Sequence, residues 1–308
     1  MKRGWQLTSL GFALLGLVGA SFAPSPAGAE GFTSFEARAL AEGVRMSFGA
    51  PNFVAVDTFM DGGGPVSQAV LDGLGNSQAF ASSPYPGDLF LTGPGLVAGL
   101  TGLPSPPAYP FYVNSSYPTT EKAQVEQPGY RLEAQSHESH SRSSASSGGG
   151  SGDSAVMVVN TTASALRDEA TGDVVAESTV KADIINIGGV LRIISGEAKA
   201  KATRSTGGEL QRQSSLVLSG VSIAGQSVGF TDKGFVTGPN NTPLPDDGPA
   251  AGALKAAGIT VQYLKGVQTD NGVISPGFVI THEFQPPGGP KMIAKYVFGR
   301  ASASATAS

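Results

Sequence analysis

One short motif in the chain has the composition of a hydrolase active site. Residues 225–229 read Gly-Gln-Ser-Val-Gly and match the G-x-S-x-G nucleophile elbow, and Asp270 and His282 follow in the serine, acid, histidine order of α/β-hydrolases. That elbow places its serine between a strand and a helix, above a parallel sheet. Here the residues after Val228 continue as a predicted strand. We therefore expect no enzyme activity, and a serine hydrolase using Ser227 is the third of three functional hypotheses.

Two further patterns combine residue types that act in catalytic or metal sites. Ser178 and Lys181 match S-x-x-K, which requires a helix, because residues three apart on a strand point to opposite faces. The same rule predicts that His137 and His140 face apart on a serine-rich strand. Their spacing is also one residue short of the H-E-x-x-H metal motif. We predict no catalytic residues, no metal site and no cofactor.

Charge and cysteine content exclude several classes of partner and fold. The 308-residue chain has a net charge of −4 and no cysteine, and only 14% of its residues are charged. Such a composition gives no basic field to hold phosphates, so we expect no nucleic-acid partner. Disulfides are impossible, and stability must come from burial, for which this length is sufficient.

Residues 1–29 have the pattern of a cleavable export signal. Two basic residues precede an apolar stretch over residues 10–23, and small residues lead to the expected cleavage site after Ala29. The apolar stretch is shorter than the roughly 20 residues of a membrane span. We therefore predict a secreted protein, extracellular or associated with the cell wall, with no transmembrane segment after cleavage. Residues 30–308 are expected to form a single elongated β domain.

The strongest pattern in the sequence is a long alternation of polar and apolar residues over 155–236. Short glycine-containing turns interrupt it, and hairpins form readily there because a positive φ costs glycine almost nothing. In residues 174–187, for example, Ala182 and Ile184 are expected on one face and Lys181 on the other, with a period of two. We predict an antiparallel meander with strands over 155–168, 174–187, 190–206 and 209–223.

The two ends of this meander differ in chemistry. Folding the hairpins brings four aliphatic patches to one end, at 157–159, 184–187, 190–194 and 218–223. Both faces are apolar there, which implies burial on both sides. The other end has an alanine-lined face and a polar face, so one face there can lie in water. At about 1.5–3 kcal/mol per buried aliphatic side chain, the aliphatic end is expected to supply most of the stability.

The flanking segments complete an all-β fold. We predict a strand over 35–48, C-terminal strands within 259–308 that cover the aliphatic end, and short helices at 65–74 and 249–257 that begin at prolines. The serine- and glycine-rich residues 142–153 are predicted to be flexible, either as a domain linker or, as we favour, as a tip between two strands. The expected architecture is a long antiparallel meander packed as a sandwich or a curved half-barrel.

Residues 83–130 interleave prolines with aromatic residues. Because proline removes a backbone donor, we expect irregular covering structure here rather than sheet. Tyrosines offer a large rigid area and a hydroxyl, so this segment is the best candidate for binding a cell-surface glycan, a protein or an apolar small molecule. The same side chains can instead form a lid over the alanine-lined face. The candidate binding residues are Tyr85, Tyr109, Phe111, Tyr112 and Tyr117.

Three segments of the meander resemble a group of exported actinobacterial proteins, the choice-of-anchor P type. They are residues 182–189, the alanine-alternating strand at 197–202, and residues 218–225, which read Leu-Ser-Gly-Val-Ser-Ile-Ala-Gly. The resemblance implies a secreted β protein without an assigned activity, and it carries over no site residues.

The sequence therefore favours a non-catalytic structural or binding protein at the cell surface or in the extracellular space. The alternative is a carrier whose curved sheet holds a lipid-like apolar ligand, since small residues on a concave face leave room for an acyl chain. A continuous apolar cavity beneath the alanine residues would support the carrier. A filled interior with tyrosines on the outside would support the binding protein.

Overall fold

The computed structural model describes residue 32 and residues 34–51, 58–85, 110–148 and 154–308. They lie within one compact unit, Gly31–Ser308. The predicted export signal, Tyr109 and the last five residues of the predicted serine- and glycine-rich segment, 149–153, lie outside the described residues.

Strands account for most of the described chain. In chain order they are β1 Phe35–Gly49, β2 Thr58–Asp72, β3 Ser77–Ser82, β4 Tyr112–Ser116, β5 Lys122–Gln127, β6 Tyr130–Ser136, β7 His140–Gly148, β8 Ser154–Arg167, β9 Val174–Ile187, β10 Leu191–Arg204, β11 Leu210–Ser219, β12 Ser222–Ile223, β13 Gln226–Ser227, β14 Gly229–Thr231, β15 Gly234–Thr237, β16 Thr242–Pro243, β17 Ile259–Leu264, β18 Val267–Thr269, β19 Gly272–Ile274, β20 Gly277–Phe284 and β21 Met292–Ala307. The described residues contain one α-helix, α1 Pro249–Ala256.

These strands form two large antiparallel sheets and one small one. Sheet A has the order β17-β20-β21-β1-β2-β3-β4, and β19 joins it beside β21 and pairs with β18. Sheet B has the order β13-β12-β10-β9-β8-β7-β6-β5, with β11 also paired to β10. The third sheet is β14-β15-β16. The predicted all-β class and antiparallel meander are confirmed.

Sheets A and B pack face to face as a sandwich. Strand β1 lies over β8 and β9, β2 over β7 and β8, and β21 over β9 and β10. At the other side of the sandwich, β3 and β4 lie over β6. Sheet A therefore covers the alanine-lined face of the meander along its length, where the sequence had suggested a lid of aromatic residues.

The hairpin turns of the meander lie where glycine predicted them. Gly172, Gly188, Gly208 and Gly225 all have positive φ, and β9 has the predicted bounds. The fourth predicted strand is divided at Gly220, with β11 before it and β12 after it. Gly220 has a φ of 62°, and a Cβ there would lie 2.4 Å from the side chain of its neighbour on β10. No other residue type fits that close approach without a shift.

The two predicted helices have different outcomes. The helix at 249–257 is confirmed as α1, with its proline at the first turn. The helix predicted at 65–74 is wrong, because residues 65–72 belong to β2 and residues 73–74 to the turn that follows it. Ser67, Ala69 and Leu71 are fully buried on its inward face, and β2 has a partner strand on each side. Pairing and burial override the local preference of the proline for a helix start.

The expectation of irregular structure over 83–130 is wrong for about half of the described part of that segment. Strands β4 and β5 and the start of β6 lie within it. The prolines flank these strands and do not interrupt them: Pro118 lies in the turn before β5 and Pro128 in the turn before β6. A proline in a turn removes no donor from the sheet.

The interior of the sandwich has two regions of different composition. At one end, large aliphatic and aromatic side chains are almost fully buried, and we call this the aliphatic end: Ile185, Ile187, Leu191, Ile193, Ile223, Phe278, Ile280 and Phe298. Over the rest, most inward-facing residues are small, and we call this the alanine–serine layer: Ala37, Ala39, Ala41, Ser67, Ala69, Ser143, Thr161, Ala163, Ala165, Ala176, Ser178, Ala198, Ala200, Ala202, Ala301, Ala303 and Ala305.

The two regions meet where the alternation of buried and outward residues shifts by one position. On β9 the buried positions step from Ala182 to Ile185, and on β21 they step from Ala301 to Phe298. The prediction that Ile184 shares a face with Ala182 is therefore wrong. Ile184 has a φ of 55°, which breaks the alternation and turns the following isoleucine inward.

Candidate functional site

Ser227 lies in a local structure unlike a nucleophile elbow. It is an exposed residue of β13, a two-residue strand that pairs with β12. The next element is strand β14, so the helix that such an elbow requires does not follow. His282 lies inside β20 in the other large sheet and is only 9% exposed, with its ring 5.0 Å from that of Phe284. Burial lowers the pKa of His282.

The S-x-x-K pair is divided between the two faces of β9, as the strand rule predicts. The hydroxyl of Ser178 points into the alanine–serine layer and donates to the carbonyl of Ser302, at 2.9 Å. Lys181 lies on the outer face, where its Nζ is 2.8 Å from a carboxylate oxygen of Glu197. The two side chains cannot act on one substrate.

The prediction that His137 and His140 face apart is wrong. They flank the tight turn between β6 and β7, where the His137 N–H donates to the His140 carbonyl, and their ring centroids are 4.4 Å apart. A turn brings residues i and i+3 together, whereas a continuous strand separates them. Burial, followed by the nearby charge of His137, lowers the pKa of His140. Within the described ranges, no group of three or more His, Asp or Glu residues is arranged to hold a metal ion.

The predicted aromatic residues divide between two places. Tyr85 and Tyr112 both contact the ring of Phe80 on β3, which lies in sheet A. Phe111 instead contacts Tyr130 of sheet B, with ring centroids 5.4 Å apart. Tyr117 follows β4 directly, and its N–H donates to the carbonyl of Ser77. Tyr109 lies outside the described residues.

The cluster around Phe80 extends into a surface that also contains amide side chains. We call it the aromatic–amide face and define it by Gln68, Gln78, Phe80, Tyr85, Tyr112 and Asn114. It lies on the outer side of β2, β3 and β4, because Ala79 and Ala81 occupy the inward positions of β3 with 2% and 0% exposure. Alternation along the strand turns Gln78 and Phe80 outward.

Strand pairing sets the geometry of this face. Phe80 is paired with Gln68 on β2 and with Asn114 on β4, so one amide flanks the ring on each side. The Tyr112 ring is nearly parallel to the Phe80 ring, at 25° with centroids 6.0 Å apart, and the Tyr85 ring meets Phe80 edge-on at 76°. Two backbone hydrogen bonds with Gly63 fix Tyr85 beside β2.

A shallow depression of about 210 Å³ lies on the aromatic–amide face. Its described lining comes from Gln68, Val70, Gln78, Ala79, Phe80, Asn114 and Ser115, none of which is charged. Small-molecule pockets that enclose their ligands usually measure about 300–1,000 Å³. A ligand here must therefore lie along the sheet, with much of its surface in solvent.

Sequence reasoning identified the tyrosines but missed Phe80 and the three amides. Phe80 is the only large residue of β3, whose sequence is Ser-Gln-Ala-Phe-Ala-Ser. Read as an alternating strand, that segment already places Gln78 and Phe80 on the face opposite its two alanines. The positions of Gln68 and Asn114 beside Phe80 could not be predicted from the sequence of β3, because they depend on which strands pair with it.

The alanine–serine layer is filled by the two sheets themselves. The hydroxyl of Ser67 on β2 is 2.8 Å from that of Thr161 on β8, and Ser143 on β7 donates to the carbonyl of Gln68 at 2.8 Å. A serine hydroxyl reaches only one bond beyond Cβ, so these contacts bring the sheets closer than the roughly 10 Å of ordinary sheet packing. No space for an acyl chain remains between the sheets at these positions.

The described part of the chain contains no helix that is long and apolar enough to cross a membrane. No protein-family model, curated protein or solved structure matches the chain.

Proposed function

We propose that the chain is an exported, non-catalytic binding protein that holds its partner on the aromatic–amide face, at the cell surface or in the extracellular space. The observation that carries this proposal is the convergence of three aromatic rings and three amides on one face of sheet A. Aromatic rings supply contact area at a low cost in conformational entropy, and amides supply directional hydrogen bonds.

The interior of the sandwich supports a binding surface over a carrier. The hydroxyl contacts between β2 and β8 and between β2 and β7 leave the alanine-lined faces in direct contact. The local structure around Ser227 likewise gives a hydrolase no support. The export signal predicted at 1–29 and the resemblance to choice-of-anchor P proteins both favour a location outside the cell.

Export is tested by expressing the full chain in an actinobacterial host and sequencing the N-terminus of the protein from medium, cell wall and cytosol. We expect the protein in the medium or the wall fraction, beginning at Glu30. A full-length chain confined to the cytosol contradicts the proposal.

Binding is tested by sedimenting the purified protein with intact cells and with isolated cell walls of that host. A Tyr112→Ala variant is expected to bind at least about tenfold more weakly, because a ring on the binding face is lost. The matched control is Thr179→Ala on β9, on the outer side of sheet B. Equal binding by both variants and the unmodified protein contradicts a role for this face.

A further inference from the structure

The aromatic–amide face has the composition of a surface for an uncharged, hydroxyl-rich ligand. Its polar groups are the amides of Gln68, Gln78 and Asn114, each of which both donates and accepts hydrogen bonds, together with the tyrosine hydroxyls. On the neighbouring strand β1, Arg38 is paired with Val70, and its guanidinium forms an ion pair with Glu36. A charged ligand would find no counter-ion among the lining residues that the structure describes.

A purely apolar ligand fits this face poorly as well. Gln78, the outward residue before the half-buried Phe80 on β3, and Asn114, its neighbour on β4, are exposed to water. Covering such amides with a hydrocarbon would remove their water and leave them without partners, at a cost of about 1–3 kcal/mol for each unsatisfied group. The ligand must therefore offer an apolar surface to the rings and hydroxyl groups to the amides.

A sugar ring has both surfaces, since its C–H groups form flat apolar faces and its hydroxyls project around the edge. On this face, Phe80 offers its ring, and amides on β2 and β4 flank that ring on both sides. The nearly parallel ring of Tyr112 lies one row further along the strands. A pyranose lying on Phe80 would thus direct its edge hydroxyls towards Gln68 and Asn114.

The length of the face favours a chain of sugars over a single one. Tyr112, Phe80 and Gln78 lie in three successive outward rows of the sheet. Successive outward rows are about 7 Å apart, so the three rows span about 14 Å. The depression is open and too small to enclose a ligand, so linked sugars can continue beyond it.

We propose that the aromatic–amide face binds a neutral polysaccharide, whose sugar rings stack on Phe80 and Tyr112 and whose hydroxyls bond to Gln68, Gln78 and Asn114. This inference rests on the proposed function and specifies its ligand.

The test uses purified residues 30–308, which are the chain expected after cleavage of the export signal and contain the whole compact unit Gly31–Ser308. This chain is sedimented with insoluble cellulose, chitin, starch and mannan as neutral probes, and with alginate gel and phosphatidylcholine vesicles as charged and lipid probes. We expect binding to at least one neutral polysaccharide and to neither of the other probes. Because none of the described lining residues is charged, binding should change less than about twofold between 0.05 and 0.5 M NaCl. Retention on alginate or vesicles alone, or on no probe, overturns the inference.

Variants connect any binding to this face. Tyr112→Ala is expected to weaken polysaccharide binding about tenfold or more, and the double variant Gln78→Ala/Asn114→Ala to weaken it by a similar factor. The double variant changes only exposed side chains, so it stays informative should a ring substitution unfold the protein. Thr179→Ala should bind like the unmodified protein. Unchanged polysaccharide binding in the double variant overturns the inference.

The cell-binding assay separates failure of this inference from failure of the proposed function. If the face variants lose cell binding but soluble neutral polysaccharides do not compete with the unmodified protein, the binding role survives and the ligand class is wrong. If protease treatment of the cells abolishes that binding, the partner is a protein. If the face variants bind cells normally, the proposed function itself is contradicted.

Discussion

The aliphatic end and the alanine–serine layer use different physical means to hold the same two sheets together. At the aliphatic end, Phe298 of sheet A reaches sheet B, where a Cβ added to Gly196 would lie 3.1 Å from its ring. In the alanine–serine layer, small side chains let the sheets approach until hydroxyls of one sheet meet carbonyls of the other. One region depends on buried area, and the other depends on close approach.

This difference predicts opposite sensitivities to mutation. Large side chains leave a cavity when they are truncated, and the cost grows with the volume that neighbours cannot refill. Alanines leave almost nothing to truncate but have no room for extra atoms. The aliphatic end should therefore be sensitive to smaller residues, and the alanine–serine layer to larger ones.

The largest expected effect is at the aliphatic end. Phe298→Ala removes a side chain that is 1% exposed and packs on the ring of Phe278 at 5.1 Å between centroids. We expect a loss of about 3–5 kcal/mol in the free energy of unfolding, measured by urea denaturation. Leu74→Ala is the control, because Leu74 is 88% exposed and should change stability by less than about 0.5 kcal/mol. Similar losses in both variants would contradict the assignment of the core.

A substitution towards greater size tests the other region. Ala200 is fully buried on β10, and Ala200→Leu should lower the free energy of unfolding by about 1–3 kcal/mol, because the facing sheet leaves no space for three more carbon atoms. Lys199→Leu, at the neighbouring outward position, is the matched control and should be nearly neutral. A neutral Ala200→Leu would mean that the sheets can separate freely, and the contrast between the two regions would fail.

A smaller effect is expected from a single hydroxyl between the sheets. Ser178→Ala removes the bond to the carbonyl of Ser302, and we expect a loss of about 0.5–1.5 kcal/mol in the free energy of unfolding. Ser214→Ala on the exposed part of β11 is the control. If the two substitutions have equal effects, the contacts between hydroxyl and carbonyl groups do not stabilise the layer.

The smallest expected effect is a dependence of stability on pH. Burial lowers the pKa of His282 and of His140, so the unfolded chain takes up these protons at higher pH than the folded protein does. The free energy of unfolding should therefore decrease as the pH falls from 7 to 5, through the unfolded histidine pKa of about 6.5. Two variants separate the contributions of the histidines. His282→Gln, in β20, and His140→Gln, at the turn between β6 and β7, should each make this decrease smaller. Urea denaturation at pH 7, 6 and 5 measures both, and stability that rises towards pH 5 would contradict the prediction.

The sequence predicted those parts of the fold that depend on local patterns. The bounds of β9 follow from a period of two between glycine turns, and α1 follows from its initial proline. The assignment failed at Pro65, where pairing with two neighbouring strands decides the structure, and at Ile184, where a single positive φ reverses the inward face. Neither of these is visible in the types of the adjacent residues.

The candidate site was partly predictable for the same reason. Tyr85 and Tyr112 stand out by residue type, in a segment rich in proline. Phe80 becomes the centre of the cluster only because β3 lies between β2 and β4, which brings Gln68 and Asn114 to its two sides. The contact between His137 and His140 likewise required a turn at a place where the alternation had suggested a continuous strand.

The pairing of β1 with β21 has a consequence for the order of folding. Glu36 is opposite Thr306, and the backbones of Ser34 and Ser308 exchange hydrogen bonds, so the centre of sheet A joins segments separated by almost the whole chain. During synthesis from the N-terminus, β1 has only one of its two neighbours until the last strand is made. Contacts of such high sequence separation form slowly. Sheet A therefore stays incomplete in the nascent chain until β21 has been synthesised and pairs with β1.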